Sequence, residues 1–502
     1  MGIRSVLSKP LASWVAREQK KWSQEPEKSQ DEVLKNLLAG VKNTLFGKDH
    51  HLQDVNSYEE FKQAVPIRDY EDLKPYVNRI IGGKSDVLWP GKPAYFAKTS
   101  GTTSGAKYIP ITKDSIPNHI NSARNALLSY VHDTGNSVFL DGKLIFLSGS
   151  PTLEEKGGIP LGRLSGLVNH HVPQYLRTNQ MPSYETNCIE DWETKLGRIV
   201  DETINQNMTL ISGIPPWVQM YFDWLIERTG KPIKDIFPNF SVFVHGGVNY
   251  APYRQKMLES IGKPIDSIET YPASEGFIAY QDSQSAEGLL MLLKSGIFFE
   301  FIPADEFFDE NPTRLSIHDV EIGKNYALIL NSNAGLWGYS IGDTVKFVSK
   351  YPHRLVVSGR IKHFISAFGE HVIGEEVEKA MNHALAQFPE AKVVEFTVAP
   401  QVNPTEGLPL HEWYVEFAQP PADIPSFSNV IDQQLQQLNP YYDDLISGSI
   451  LRSLEIRPLQ KDGFRQYMKS QGRLGGQNKV PRLSNDRKLA EGLESFLNKS
   501  KK

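Results

Sequence analysis

Residues 96–112 read FAKTSGTTSGAKYIPIT. Strand-forming residues run into a loop of hydroxyls and glycines, then Lys107, then a second extended run. Gly101 and Gly105 free the backbone to turn its N–H groups toward one point. The hydroxyls of Ser100, Thr102, Thr103 and Ser104 add donors around the same space. Such a nest suits a polyphosphate, and Lys107 supplies positive charge. Two familiar loops fail on spacing. A Walker A loop has four residues between its glycines and a glycine before its lysine; here three separate Gly101 from Gly105, and Ala106 precedes Lys107. A nucleophile elbow centres its serine, but Ser104 is the fourth residue of its five. Taken alone, the stretch can also be read as a plain Ser/Thr/Gly hairpin loop.

Outward from this loop, short β-rich runs alternate with helical stretches from about 90 to 350: LIFLSG at 144, SVFVHGG at 241, IFFEFIP at 297 and NYALILNSN at 325. DWETKLGRIVDETINQ and PWVQMYFDWLIERTG carry helical spacing between them. That alternation predicts a mainly parallel α/β core. Upstream, the apolar positions Trp14, Trp22, Leu34, Leu37 and Leu38 predict two amphipathic helices joined at Pro26. Beyond residue 358 the pattern changes. KVVEFTVAP and HEWYVEFAQ predict an antiparallel hairpin, followed by a helix over about 425–438 and a C-terminal helix from about Asn485. The domains are therefore expected at 1–357 and 363–502, the second a smaller, mobile α+β unit. Ser358-Gly359-Arg360 opens the hinge at 358–362, where glycine absorbs large backbone changes.

Three further stretches carry chemistry. In ETYPASEGFIAYQD, residues 269–282, Tyr271 offers a flat face for a base, Ser274 a hydroxyl, and Glu275 a carboxylate able to hold a hard cation such as Mg²⁺. In GLWGYSIGDTVKFVS, residues 335–349, Asp343 is suited to accept hydrogen bonds from vicinal ribose hydroxyls. Read alone, the first is better taken as a solvated turn before a strand and Asp343 as a plain turn aspartate. Arg360 in SGRIKHFISAFGEHV and Lys479 in GGQNKVPRLSND complete the set, the latter in a glycine-rich cationic loop or a solvated tail.

Composition removes other classes. The 502 residues are 40% hydrophobic and 23% charged, values of a globular chain. Lys+Arg 54 against Asp+Glu 59 gives −5 overall, which argues against a dedicated nucleic-acid or anionic-membrane binder. The longest apolar runs reach five residues, as at Leu289–Leu293, whereas a membrane-spanning helix needs about 20. Val6 breaks the myristoylation pattern. Cys188 is the only cysteine, so the chain forms no intrachain disulfide and reads as cytoplasmic, with Cys188 an inert core thiol. The histidine pairs at 50–51 and 170–171 lack zinc-helix spacing and are expected at the surface, and His411-Glu412 lacks its second histidine.

The order of the motifs resembles adenylate-forming enzymes and, within them, the Gretchen Hagen family of auxin-responsive acyl-acid amido synthetases. The counterparts are Thr99-Ser100-Gly101-Thr102-Thr103-Ser104-Gly105, Tyr271-Pro272-Ala273-Ser274-Glu275, Tyr339-Ser340-Ile341-Gly342-Asp343 and Gln477-Asn478-Lys479-Val480-Pro481-Arg482. Lys107 sits one residue closer to its loop than in the family pattern, Ala273 replaces a serine, and Ser340 replaces an arginine. The resemblance implies a large α/β N-terminal region with a β-barrel subdomain and a rotating C-terminal domain. It also implies ATP as substrate and Mg²⁺ as cofactor. ATP and a carboxylic acid would give an acyl-adenylate and pyrophosphate, after which an amino-acid amine takes the acyl group. Thr99–Ser104, Lys107, Tyr271, Ser274, Asp343 and Arg360 are then expected at the nucleotide, Glu275 at the metal, and Lys479 at the α-phosphate. An acyl–coenzyme A synthetase and a non-catalytic nucleotide-binding homologue are the alternatives. Residues 157–169 and 211–222, with Trp217, Met220 and Tyr221, are candidates for the acid's pocket or for ordinary core. Oligomeric state leaves no mark on the sequence.

Overall fold

The computed structural model describes residues 2–100, 106–171, 178–247, 250–361, 364–365, 372–402, 404–448, 450–472, 480–484 and 487–498. The chain forms two compact units, one of residues 1–248 and 260–357, the other of residues 249–259 and 358–502.

In the first unit, α1 (Ile3–Gln24) and α2 (Pro26–Val41) meet at Pro26. Proline opens α2 where its missing N–H is no loss. α2 buries Val33, Leu34, Leu37, Leu38 and Val41 at helical spacing. α1 departs from expectation: it turns Ser5, Ser8, Ala12, Val15 and Gln19 inward and leaves Trp14 exposed. Small inward side chains let it lie close along α3 (Ile116–Thr134).

A continuous sheet of eleven strands runs through the unit. One half is parallel, in the order Gln180–Met181, Lys143–Phe146, Met208–Ser212, Val242–Gly246 and Asp266–Ala273. Its strands Met208–Ser212 and Val242–Gly246 are almost wholly buried, as strands covered on both faces must be. The order continues through Gly276–Tyr280, Leu289–Met291, His353–Arg360, Tyr339–Lys350, Asn325–Ser332 and Ile297–Pro303. The antiparallel strands expected of a barrel thus extend the parallel sheet in one hydrogen-bonded order.

A separate four-stranded sheet holds β1 (Tyr95–Ser100) and β2 (Ala106–Ile111), with Ile159–Gly162 and Glu154–Lys156 beyond β1. The second unit is a three-stranded sheet, Lys392–Gln401, Leu410–Gln419 and Glu455–Leu459, backed by helices Gly374–Gln387 and Ile424–Leu438. Its first two strands are the expected hairpin; the third pairs parallel to the second. Ser358, Gly359 and Arg360 end the strand His353–Arg360.

Candidate active site

β1 and β2 pair antiparallel, setting Thr99 opposite Lys107 and Ser100 opposite Ala106. Gly101, Thr102, Thr103, Ser104 and Gly105, between the paired ends, lie outside the described residues, as does the side chain of Ser100. Lys107 Nζ stands 5.7 Å from the ring centre of Tyr70. The Tyr70 hydroxyl accepts from the backbone N–H of Tyr108 at 2.8 Å, fixing the start of helix Tyr70–Ile81 against β2.

The second motif is a tight hairpin between β3 (Asp266–Ala273) and β4 (Gly276–Tyr280). Ala273 pairs with Gly276, leaving Ser274 and Glu275 as the turn. Ser274 is buried and Glu275 half-buried. At Gly276 a Cβ would stand 2.5 Å from Ile297 Cδ1, so any side chain there would push the Ile297 side chain aside. Asn118 of α3 brackets the next residue: its Nδ2 donates to the Phe277 carbonyl at 3.0 Å, and its Oδ1 accepts from the Phe277 N–H at 2.7 Å.

The third motif lies within a strand instead of ahead of one. β6 (Tyr339–Lys350) pairs with β5 (Asn325–Ser332), yet Ala327 pairs with Thr344 while Ile329 pairs with Ser340. Ile341, Gly342 and Asp343 therefore bulge opposite the single residue Leu328. Gly342 takes φ 80°, the left-handed conformation the bulge requires. Residues 338–340 are clamped in place: Arg68 N–H donates to the Gly338 carbonyl at 2.7 Å, and Ser340 N–H to the Arg68 carbonyl at 2.8 Å.

Two tyrosine–carboxylate bonds join these motifs. Tyr271 Oη donates to Asp343 Oδ2 at 2.7 Å. The Tyr339 hydroxyl donates to Glu275; burial first, then that carboxylate, pushes the Tyr339 phenol well above its ordinary pKa. Tyr271 is itself buried in the core around Ile278, Leu330 and Val345, so its hydroxyl positions Asp343 and its ring is not an open platform for a base. The sequence marks Tyr339 as part of a pattern but gives no hint that it reaches Glu275. Asn118 and Tyr70 are equally silent in the sequence, since their partners lie far along the chain. Arg360 ends its strand with its side chain outside the described residues, and Lys479 lies wholly outside them.

Trp217 and Tyr221 are core residues. The Trp217 ring packs 4.9 Å from that of Trp192, and Tyr221 Oη lies 2.6 Å from Thr203 Oγ1. Met220 is half-buried. The other candidate segment does line a cavity, where Leu164, Leu167 and His171 face Tyr95, Ile116 and His119. His119 Nδ1 and His171 Nε2 are buried without a hydrogen-bond partner among the described residues. Burial lowers the His119 pKa to about 4, so its ring is neutral.

Of the paired histidines, His51 is exposed as expected, whereas His50 and His170 are bonded into the structure. His50 stacks on Phe46 at 4.1 Å and bonds Arg68, and His170 Nε2 lies 2.8 Å from the Pro151 carbonyl. His411 is buried, and the half-buried Cys188 bonds the Tyr184 hydroxyl. Among the described residues no three His, Cys, Asp or Glu side chains cluster to hold a metal ion, and no helix is long and apolar enough to cross a membrane.

The two-unit α/β chain, with its second and third motifs bonded to each other, matches the fold of two solved ligases. The solved structure of the GH3.15 acyl acid amido synthetase superposes with a TM-score of 0.79 at 17% identity, covering 95% of each chain. A 2-hydroxyisobutyryl-CoA ligase in the postadenylation state superposes with a TM-score of 0.58 at 12% identity, covering 96% of this chain and 93% of that one.

The chain belongs to the GH3 (Gretchen Hagen) family: the family's N-terminal domain matches residues 15–186, its central domain residues 290–360 and its C-terminal domain residues 375–488. Among its relatives, the indole-3-acetic acid-amido synthetase GH3.4 of Arabidopsis thaliana is 24% identical, covering 91% of this chain and 89% of that protein. The jasmonoyl–L-amino acid synthetase JAR4 of Nicotiana attenuata is 23% identical over 64% of this chain and 66% of its own.

Proposed function

We propose that the protein is an ATP-dependent acyl-acid amido synthetase, which adenylates a carboxylic acid and then passes the acyl group to the amine of an amino acid. The observation that carries this reading is the pair of bonds Tyr271–Asp343 and Tyr339–Glu275, in which each of the two motifs supplies a tyrosine to the carboxylate of the other.

Each residue then has a part. Thr99–Ser104 with Lys107 wrap the phosphates. Asp343, oriented by Tyr271, accepts from the ribose hydroxyls, and Ser274 helps hold the turn beside them. Glu275 is the residue that would hold Mg²⁺, since one carboxylate together with substrate phosphates is a common environment for that ion, and there the ion would offset phosphate charge. Arg360 contacts the nucleotide, and Lys479 stabilises negative charge as the substrate carboxylate attacks the α-phosphate. The chemistry explains the detour through AMP: a carboxylate is a poor acyl donor because oxide is a poor leaving group, whereas AMP leaves readily.

The test is a panel of carboxylic acids supplied with ATP and either amino acids or coenzyme A, read as pyrophosphate release and product mass. Amides of one or a few amino acids are expected. Thioesters in their place would move the protein to the acyl–coenzyme A synthetases, and no pyrophosphate release with any acid would leave only nucleotide binding.

A further inference from the structure

We propose that α1 is an interfacial helix through which the protein docks onto an anionic lipid surface. The helix is amphipathic in the wrong sense for a soluble fold. Its inward face is Ser5, Ser8, Ala12, Val15, Gln19 and Ser23, satisfied by bonds such as Ser5 Oγ to Ser137 Oγ at 2.7 Å and Gln19 Nε2 to Ser129 Oγ at 2.9 Å. Its outward face is Ile3, Val6, Leu7, Leu11 and Trp14, each between 42% and 79% exposed. Positions 3, 7, 11 and 14 follow helical spacing and form one stripe. A continuous exposed stripe, unlike single exposed leucines, marks an interaction surface.

Charge identifies what covers the stripe. α1 carries Arg4, Lys9, Arg17, Lys20 and Lys21 against the single acid Glu18, a net of +4, while the whole chain stands at −5, so the remainder stands at −9. The overall count therefore conceals a local basic helix. Arg17 and Lys21 continue the line of Trp14 by three and then four residues, with Glu18 on the same line paired to Lys21, and Arg4 and Lys9 flank the stripe. An apolar stripe bordered by long cations, with a tryptophan among the apolar residues, is the pattern of a helix lying in the headgroup region. A two-fold pairing of copies through this face would instead bring one set of cations against the other. With six charged residues in its length, α1 lies in the plane of the bilayer and does not cross it.

The experiment is co-sedimentation of the full chain with phosphatidylcholine vesicles, with and without a phosphatidylserine fraction of about one-third. Binding is expected only to the anionic vesicles and is expected to fall as salt rises. Leu7→Glu with Trp14→Glu should abolish it. Lys20→Gln with Lys21→Gln should weaken partitioning about 25-fold, from roughly fivefold per basic residue, the equivalent of ~1 kcal/mol each. These side chains are exposed, so the thermal midpoint of each variant should match wild type. Quenching of tryptophan emission by brominated lipid should shrink in Trp14→Phe. Three results overturn the proposal: no binding to either vesicle, binding unchanged in the Leu7/Trp14 variant, or equal binding to uncharged vesicles. If the protein sediments as a dimer that Leu7→Glu dissociates, a second copy covers the stripe and the lipid assignment is wrong.

Discussion

The tyrosine–carboxylate pairs around Arg482 in the second unit differ from those at Glu275 and Asp343 in the first, although the first unit also has a guanidinium-paired set in Tyr58, Glu300 and Arg314. In the second unit, Tyr253 Oη donates to Glu395 at 2.6 Å, and Arg482 joins them, donating to Glu395 and, at 3.1 Å, to Glu378. Nearby, Tyr414 donates to Glu494 at 3.0 Å while Arg487 donates to Glu412 at 2.7 Å. There the carboxylates are neutralised by guanidinium groups deep in the packing, which holds the unit together. In the first unit, Tyr271 and Tyr339 bond Asp343 and Glu275 through neutral hydroxyls. A phenol fixes where a carboxylate points without cancelling its charge. The first arrangement is architecture; the second orients the two carboxylates to which the proposed function gives the metal and the ribose.

If that contrast is right, removing the arginine has the largest effect on stability. Arg482→Ala strands Glu378 and Glu395, whose side chains are each at most 16% exposed, and should cost about 3–5 kcal/mol. Urea unfolding measures this, and a loss below ~1 kcal/mol would make the network a surface ornament. Glu275→Gln should instead leave the unfolding midpoint near wild type and lower the adenylation rate about 10²–10³-fold, with a higher Mg²⁺ requirement. Wild-type metal dependence would put the ligand elsewhere.

Smaller effects sharpen the comparison. Asp343→Ala removes a charged acceptor pair and should weaken kcat/KM for ATP by about 1.5–3 kcal/mol, with a stable fold. Unchanged ATP kinetics would remove Asp343 from the nucleotide site. Tyr271→Phe deletes only the positioning bond, and a loss of about 0.5–1.5 kcal/mol, seen as a higher KM for ATP, is expected. In Asp343→Ala the same tyrosine substitution should add almost nothing, because the two residues act as one unit.

Local periodicity makes much of this fold legible in the amino-acid sequence. The strands at Val242–Gly246, Ile297–Pro303 and Asn325–Ser332, the Pro26 junction and the C-terminal hairpin all follow from patterns that a short window of residues carries. The motif residues are legible as a set because their order is a pattern. Their joining is not: Tyr271 and Asp343 are 72 residues apart, and three strands separate theirs in the sheet order, so tertiary folding and not strand pairing brings them together. The bulge that turns Asp343 out of the ladder is hidden because glycine followed by aspartate reads as an ordinary turn. Trp217 and Tyr221 illustrate the converse, since an aromatic helix face looks the same whether it lines a pocket or fills a core. α1 misleads for another reason: tryptophan in an amphipathic pattern reads as inward, whereas serine and alanine pack there.

The central claim is that these carboxylates serve acid-dependent adenylation. Exchange of labelled pyrophosphate into ATP, measured with and without a carboxylic acid and with no amino acid present, tests it most directly. The account predicts exchange that requires the acid, proceeds without the amine, and falls about 10²–10³-fold in Glu275→Gln. Exchange that ignores the acid, or amide formation accompanied by release of ADP in place of AMP, would contradict it.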